Sequence, residues 1–521
     1  SQGGSWYIRI YPTGNYSISG TASPALIRIE DADKVIIDGR INATGSEPAL
    51  NIINNSASSA VIWIYRGDAY SSNGAKNVIV KYCNIISGSA STSTYYGIVV
   101  GGKGGLTAGA GGNNDITIEY NNFSKAYWGI RVYGDINSYI SGLKITNNTF
   151  GNNFSGTDGH YYAIYTYYCE SPIISNNIFK SSSSSAHYGI YLGYCNNATV
   201  EENDFQSTSS TTIYGIYSHY CNDATISRNM MRSQTQSTFY AFFVTYNNNT
   251  IVSENDIVNT SSSTFYGIYL NYSNNSIFAN NLIQGNTSTS THYSIYVNYG
   301  TNNEVSNNRI LDNINGTSTL YCIYVYYHSN GIIRNNVIKN FTTGSTAIGI
   351  YLYNSSSNIT NALVENNIIQ NITSSSASAY TAGIAVYYAN QSKIYNNAIS
   401  GIYKTTPTTS NLYLPAGINI LYGTSIQVYH NSVHISGDYS NMSSAMNSTA
   451  LVINYSNANT LDIRNNTFTN FAFGSPNGKH YAAIIVNSGS MNGTTIDYNN
   501  YYTLDTSQLI GKFGTTDIYT L

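Results

Sequence analysis

"YGIYLGYCNNATVEENDF" (Tyr188–Phe205) is followed by "YGIYSHYCNDATISRNMM" (Tyr214–Met231), which starts 26 residues after it. The phrase returns at Tyr240, Tyr266, Tyr293 and Tyr321, and an earlier copy opens at Tyr162. Weaker copies open at Ile348, Ala382, Ala416, Ala450 and Ala483, and upstream at Trp128, Tyr96, Ala60 and Ala25. That makes about sixteen units of 26–36 residues. A fixed period of this size marks a solenoid, in which each unit packs only on its neighbours.

Within one unit, "GIYL" alternates with period two, so Ile190 and Leu192 share a face and Tyr191 takes the other. "CNN" turns, "ATV" makes a second short strand with Val200 inward, and "EEN" turns again. "DF" brings Phe205 back inside, and "STSSTT" crosses to the next unit. No helical period occurs. The pattern predicts an all-β chain: a single right-handed parallel β-helix with neighbouring strands about 4.8 Å apart. The expected organisation is one continuous body over residues 1–521. It has a lead-in strand in 1–24, repeated coils over 25–500 and a tail over 501–521.

Only 9% of the 521 residues are charged and the formal net charge is −3. Such a surface lacks the clustered Lys and Arg that nucleic acid requires. It also gives little protection against self-association. The 42% hydrophobic fraction, placed at regular positions, supplies a continuous core and argues against disorder. No apolar run is long enough to span a membrane. The start "SQGGSWYIRIYP" carries no signal peptide, so an exported form is expected to be processed.

Stacked coils place like residues on like. One column reads Asn177, Asn203, Asn229, Asn255, Asn281, Asn308 and Asn336. It is expected to be a structural amide ladder, Asn also tolerating the left-handed turn conformation. Tyrosine, 52 residues in all, forms two columns. Tyr165, Tyr191, Tyr217, Tyr269, Tyr296, Tyr324 and Tyr351 occupy the outward strand position, with Phe243 filling the gap. Tyr168, Tyr194, Tyr220, Tyr246, Tyr272, Tyr299 and Tyr327 occupy the following turn. The outward stripe has two readings: rings stacked to stiffen the sheet, or a contact surface for sugar rings or a neighbouring molecule.

Cys169, Cys195 and Cys221 share one coil position, and Cys83 and Cys322 stand apart. In-register neighbours point the same way, which disfavours a disulfide torsion, so buried free thiols are expected. There is no paired Cys-x-x-Cys, the His residues are scattered, and neither metal nor cofactor is expected. The sequons at Asn259, Asn286, Asn315, Asn340, Asn371, Asn441 and Asn447 fall in Ser/Thr-rich crossings expected to be exposed, and are candidate glycan sites.

Carboxylate chemistry has few candidates. Glu30, Asp31, Asp33 and Asp38 lie in "EDADKVIIDG"; Glu201, Glu202 and Asp204 lie in "EEND". "TDGHYY", with Asp158 and His160, stands alone in a loop. No coil stack gathers Asp, His and Arg or Lys, so no catalytic residue is assigned and no enzyme is expected.

"PALIRIEDADKVIIDGRINATGS" (Pro24–Ser46), "IQVYHNSVHISG" (Ile426–Gly437), "LDIRNNTFTNF" (Leu461–Phe471) and "IDYNNYYT" (Ile496–Thr503) carry a resemblance. With them the chain resembles the secreted β-helix surface proteins of the Bacteroidota, cargo of the type IX secretion system. The resemblance implies a secreted or surface-attached protein. It departs from that family in reaching "TTDIYTL" without a sorting domain.

The leading expectation is therefore an extracellular or cell-surface structural protein, glycosylated, whose terminal coils stack head to tail into a filament. The alternative is a monomeric carbohydrate-binding adhesin using the tyrosine stripe on glycans or extracellular polysaccharide. The third is a polysaccharide lyase or glycoside hydrolase. Electron micrographs separate the first two, and incubation with polysaccharide separates the last two.

Overall fold

The computed structural model describes residues 6–67, 74–89, 94–151, 160–180, 182–183, 185–261, 263–354, 360–454, 460–486, 493–504 and 509–519. Asp158 lies outside them. The chain divides into two compact units, Ser1–Asn259 and Thr260–Leu521. Each is a stack of parallel-stranded coils with three sheets. Among the described residues the one helical segment is a short 3-10 turn at Ile41–Ala43.

A coil of the first unit runs as its sequence dictates. His187–Gly193 is a strand of sheet 1, Thr199–Glu201 of sheet 2, and Asp204–Phe205 of sheet 3. The next coil repeats this in register: Tyr188 beside Tyr214, Ile190 beside Ile216, Val200 beside Ile226, and Phe205 beside Met231. Ile190, Leu192, Val200 and Phe205 are buried, as the alternation requires. Sheet 1 of this unit runs from Ala25–Glu30 to Phe239–Thr245. Residues 8–20 already belong to the stack, since Ile8–Ile10 pairs with Val35–Asp38 and Tyr16–Gly20 with Leu50–Asn54.

The core is built from columns. Phe123, Phe150, Phe179 and Phe205 stack with centroids 4.9, 5.1 and 4.4 Å apart. Sheet 1 brings a small residue against this column. A Cβ at Gly189 would lie 2.4 Å from the Phe205 ring and 2.7 Å from Gly215 O. In the second unit the sheet 1 core column is Ile268, Ile295, Ile323, Ile350, Ile384 and Ile418, all buried.

The asparagine ladder is present in both units and longer than expected. Asn121 and Asn148 extend it in the first; Asn367, Asn397, Asn431, Asn466 and Asn499 extend it in the second. Asn203 shows the unit of construction. Its N–H and Nδ2 both donate to Asn229 Oδ1 (3.1 and 3.0 Å), and Nδ2 also donates to Ile174 O (2.9 Å). Its own Oδ1 accepts from Asn177. The left-handed backbone expected of the ladder belongs instead to the residue before it: Asn176 (φ 57°), Glu202 (56°), Arg228 (53°) and Glu254 (58°). The ladder residue is selected for a side chain that both donates and accepts, which Asp does not offer.

The Ser/Thr crossings differ from expectation. In the first unit Ser182–Ser183, Thr208–Ser209 and Gln234–Thr235 form an additional ladder of short strands in sheet 3. Backbone hydrogen bonds pull these segments onto the body. Asn259, Asn286 and Asn315 are accordingly buried and bonded: Asn259 to Ser233 O, Asn286 to Asn313 Oδ1 at 2.8 Å, and Asn315 to Thr319 O at 2.9 Å. Asn447 is buried as well and accepts from the Lys479 N–H. The expected exposure of these four is corrected: in the folded chain their side chains are buried. Asn340, Asn371 and Asn441 are exposed.

All five cysteines are buried and free. Cys221 Sγ accepts from the Cys195 N–H at 3.1 Å, so the thiol column takes the place of another amide ladder, and Asn247 continues it.

Candidate functional site

The outer face of sheet 1 concentrates what chemistry the chain offers. In the first unit Tyr165, Tyr191, Tyr217 and Phe243 stack at 4.7, 4.9 and 4.9 Å, with ring planes within 13°. Beside them runs a column that alternation alone does not place there: Trp128, Tyr162, Tyr188, Tyr214 and Tyr240, at 4.4, 4.7, 4.6 and 4.8 Å. Strict period two would send Tyr188 and Tyr191 to opposite faces. Both Gly189 and Ile190 point inward, so the strand bends between them and both tyrosines face out. The strong copies from Tyr162 to Tyr321 all open on a tyrosine at this position, which was the available signal.

Within a column the rings meet face to face; between columns they meet edge to face, as for Tyr188 and Tyr217 at 72°. A spacing near 4.8 Å is too short for rings to lie side by side, so each must overlap the next. Their faces are therefore occupied by each other. Of the two readings of the stripe, ring-on-ring stacking is what the structure has, and the ledge offers outward ring edges and a row of phenol groups.

In the second unit Tyr269, Tyr296 and Tyr324 stack at 4.9 and 5.0 Å, beside Tyr266, Tyr293 and Tyr321 at 5.1 and 5.4 Å. Here the two columns lie nearly parallel, Tyr293 and Tyr296 at 16°. The Asn298 amide bridges them to its own strand, donating to Tyr269 Oη at 3.1 Å. Tyr351 is not at the surface as expected: it is buried in a cluster with Ile348, Ala382, Ala385 and Leu421, against which Leu412 packs.

The turn column is also present. Tyr194 and Tyr220 stack at 4.9 Å and Tyr220 and Tyr246 at 4.8 Å; in the second unit Tyr272 and Tyr299 stack at 4.7 Å. All of these have positive φ, between 48° and 54°.

Partial burial first, then neighbouring phenols, push the hydroxyls of Tyr162, Tyr188 and Tyr191 up from their ordinary value. These phenols add no charge to the ledge near neutral pH, where its charged group is Arg131. Arg131 occupies the stripe position next to Tyr165. Its guanidinium stands over the rings of Tyr133 (4.8 Å), Trp128 (5.7 Å) and Tyr165 (5.7 Å). Nη1 donates to Leu106 O at 2.8 Å and Nη2 to Thr107 O at 3.3 Å. Burial pulls its pKa down. Leu106 and Thr107 belong to the glycine-rich segment 103–111, which folds over the outer face and packs Leu106 on Tyr96, Trp63 and Val99.

The carboxylates flagged by sequence are engaged elsewhere. Asp38 is held by Arg40 at 2.7 Å and neighbours Lys81. Glu201 and Glu202 pair with Arg228, and Asp204 with Arg232. His160 is buried, its Nδ1 bonded to Ala126 O at 2.5 Å. Among the described residues no group of His, Cys, Asp and Glu is arranged to hold a metal ion. Among the described residues no helix is long and apolar enough to cross a membrane.

No curated protein matches the chain. Several solved structures are similar to it. One is the A-module of the Azotobacter vinelandii mannuronan C-5 epimerase AlgE6, at 12% identity over 68% of this chain and 89% of that one, TM-score 0.37. Another is a variant of the periplasmic alginate epimerase AlgG, at 14% identity over 75% and 76%, TM-score 0.34. A third is a variant tailspike of the E. coli bacteriophage HK620 in complex with a hexasaccharide, at 12% identity over 82% and 68%, TM-score 0.36. At these identities the likeness is one of fold. The expectation of no enzyme is nonetheless corrected, because the similar proteins include two enzymes, and a shortage of free carboxylates does not exclude activity. Residues 68–257 and 162–320 match the family model described as a right handed beta helix region, and the coils described above have that fold, a right-handed parallel β-helix.

Proposed function

We propose that the chain works outside the cell or at its surface and binds an extended polysaccharide along the outer tyrosine face of sheet 1. One observation carries this reading: in the first unit the same uncharged phenol pair recurs at 4.6–4.9 Å over three successive strands, Tyr162 with Tyr165, Tyr188 with Tyr191 and Tyr214 with Tyr217, and Tyr240 continues one column beside Phe243. A binding group repeated along an axis suits a ligand that repeats along its own axis. Each phenol offers one donor and accepts as well, matching sugar hydroxyls, and the ring edges match their C–H surfaces. The exposed sequons Asn340, Asn371 and Asn441 are the glycan-attachment candidates of this reading.

The test is electrophoresis of the native protein through gels containing soluble neutral polysaccharides. Retardation by at least one of them is expected. The variant Tyr188→Ser with Tyr214→Ser should keep cooperative melting and lose the retardation. Unchanged mobility of the native protein in every gel overturns the reading.

End-to-end association into a filament is the second reading. The exposed Trp6, and Ile8 and Ile10 on the first described strand, favour it. Against it, the strand Leu509–Phe513 is closed by antiparallel pairing with Thr516–Ile518. The edge of sheet 1 there is therefore the three-residue strand Thr516–Ile518, which runs opposite to the coils. Sedimentation velocity separates the readings: species growing with concentration support association, and a single boundary opposes it.

A further inference from the structure

Arg131 is 6% exposed and makes no ion pair among the described residues. A guanidinium has five N–H donors, and the carbonyls of Leu106 and Thr107 take one each. Nε is buried with no partner. Burying a charge is costly unless an opposite charge or a full set of acceptors compensates it. Three aromatic rings offset part of that cost, but ring quadrupoles supply no acceptor in the guanidinium plane. The Nε edge, the one that pairs bidentately with a planar anion, is covered and has no acceptor on Nε.

The surroundings are built to seat something. Leu106 and Thr107, whose carbonyls hold the guanidinium, also wall a cavity of about 240 Å³ with Pro24, Ser58, Thr94 and Tyr96. Tyr96 stacks on Trp128 at 5.9 Å, so the cavity stands at the low-numbered end of the ring column. Beyond it the column gives way to Ala60.

We propose that Arg131 forms an anion subsite closing the first unit's tyrosine ledge, and that it takes a sugar residue bearing an anionic group. This rests on the polysaccharide reading above and narrows it: the ligand is neutral along most of the ledge and acidic at the Trp128 end. Arg131 is thereby the specificity-determining residue of the ledge.

The test uses the full chain and three oligosaccharide probes of equal length, a neutral one, a hexuronate and a sulfated one, titrated calorimetrically. An acidic probe should bind at least tenfold more tightly than the neutral one. Arg131→Met should abolish that preference and keep neutral binding, and Arg131→Lys should restore part of it. If Arg131→Met unfolds, the native protein still decides, because the acidic preference must shrink as salt is raised. A preference for sulfate over carboxylate, or the reverse, names the anion and supports the subsite either way. Equal binding of all three probes overturns the subsite and leaves the ledge reading standing. Binding of none overturns both.

Discussion

Asn203 donates from its amide to three acceptors and receives two bonds in return, all without solvent. Removing one partner of a buried hydrogen bond leaves the other unsatisfied, at about 1–3 kcal/mol per group. Asn203→Ala is therefore expected to cost about 3 kcal/mol, and Asn203→Asp more, since it adds a buried charge beside Asn229 Oδ1. Urea denaturation of both variants checks the order. A second residue-scale prediction concerns histidine. Burial pulls His187 and His328 down to about 4, and His292 to about 3. These rings are neutral when folded and protonate near 6.5 when unfolded. Between those values the unfolded chain binds more protons, so stability rises with pH from about 4 to 6.5 and is lost as pH falls through that window. The slope is at most about 1.4 kcal/mol per pH unit for each histidine. His292→Leu, which copies Leu320 in the next coil, should flatten the profile of the denaturation midpoint against pH.

At the scale of an element, the tyrosine turn column sets two energies against each other. A left-handed residue with a Cβ costs about 1–2 kcal/mol, and each stacked ring pair returns about 0.5–1.5 kcal/mol. Tyr220 has φ 52° and stacks on Tyr194 and Tyr246, so the two nearly cancel. Tyr220→Gly should consequently change stability by less than about 1 kcal/mol, while Tyr220→Ala keeps the strain and loses the stacking. The alanine variant should be the less stable of the two by about 1 kcal/mol in thermal or chemical denaturation. The reverse order would show that the left-handed backbone at residue 220 carries no strain.

For the whole molecule, the crossings decide what can be modified. If the protein is expressed in a host that attaches glycans at sequons, mass spectrometry of its peptides should find Asn340, Asn371 and Asn441 occupied. Asn259, Asn286, Asn315 and Asn447, which are buried, should be bare. Occupancy at the buried set would mean attachment before folding. The low charge has a consequence at the same scale: surface ion pairs are few, so melting temperature should depend little on salt between low and physiological ionic strength.

The sequence by itself determined the coil. Its period, the alternation in "GIYL", the inward Val200 and Phe205 and the recurring Asn are all local or exactly repeated, and in-register parallel stacking turns each repeat into a column. The tertiary structure alone decided which surfaces are open. The bend at Gly189 that brings Tyr188 out depends on the Phe205 ring behind it, and the burial of Asn286 on a strand from the neighbouring coil. The cover over Arg131 comes from a segment some two dozen residues away that carries no repeat. Such contacts depend on which chain segments the folded coil brings together, and the spacing of residues along the chain does not record them.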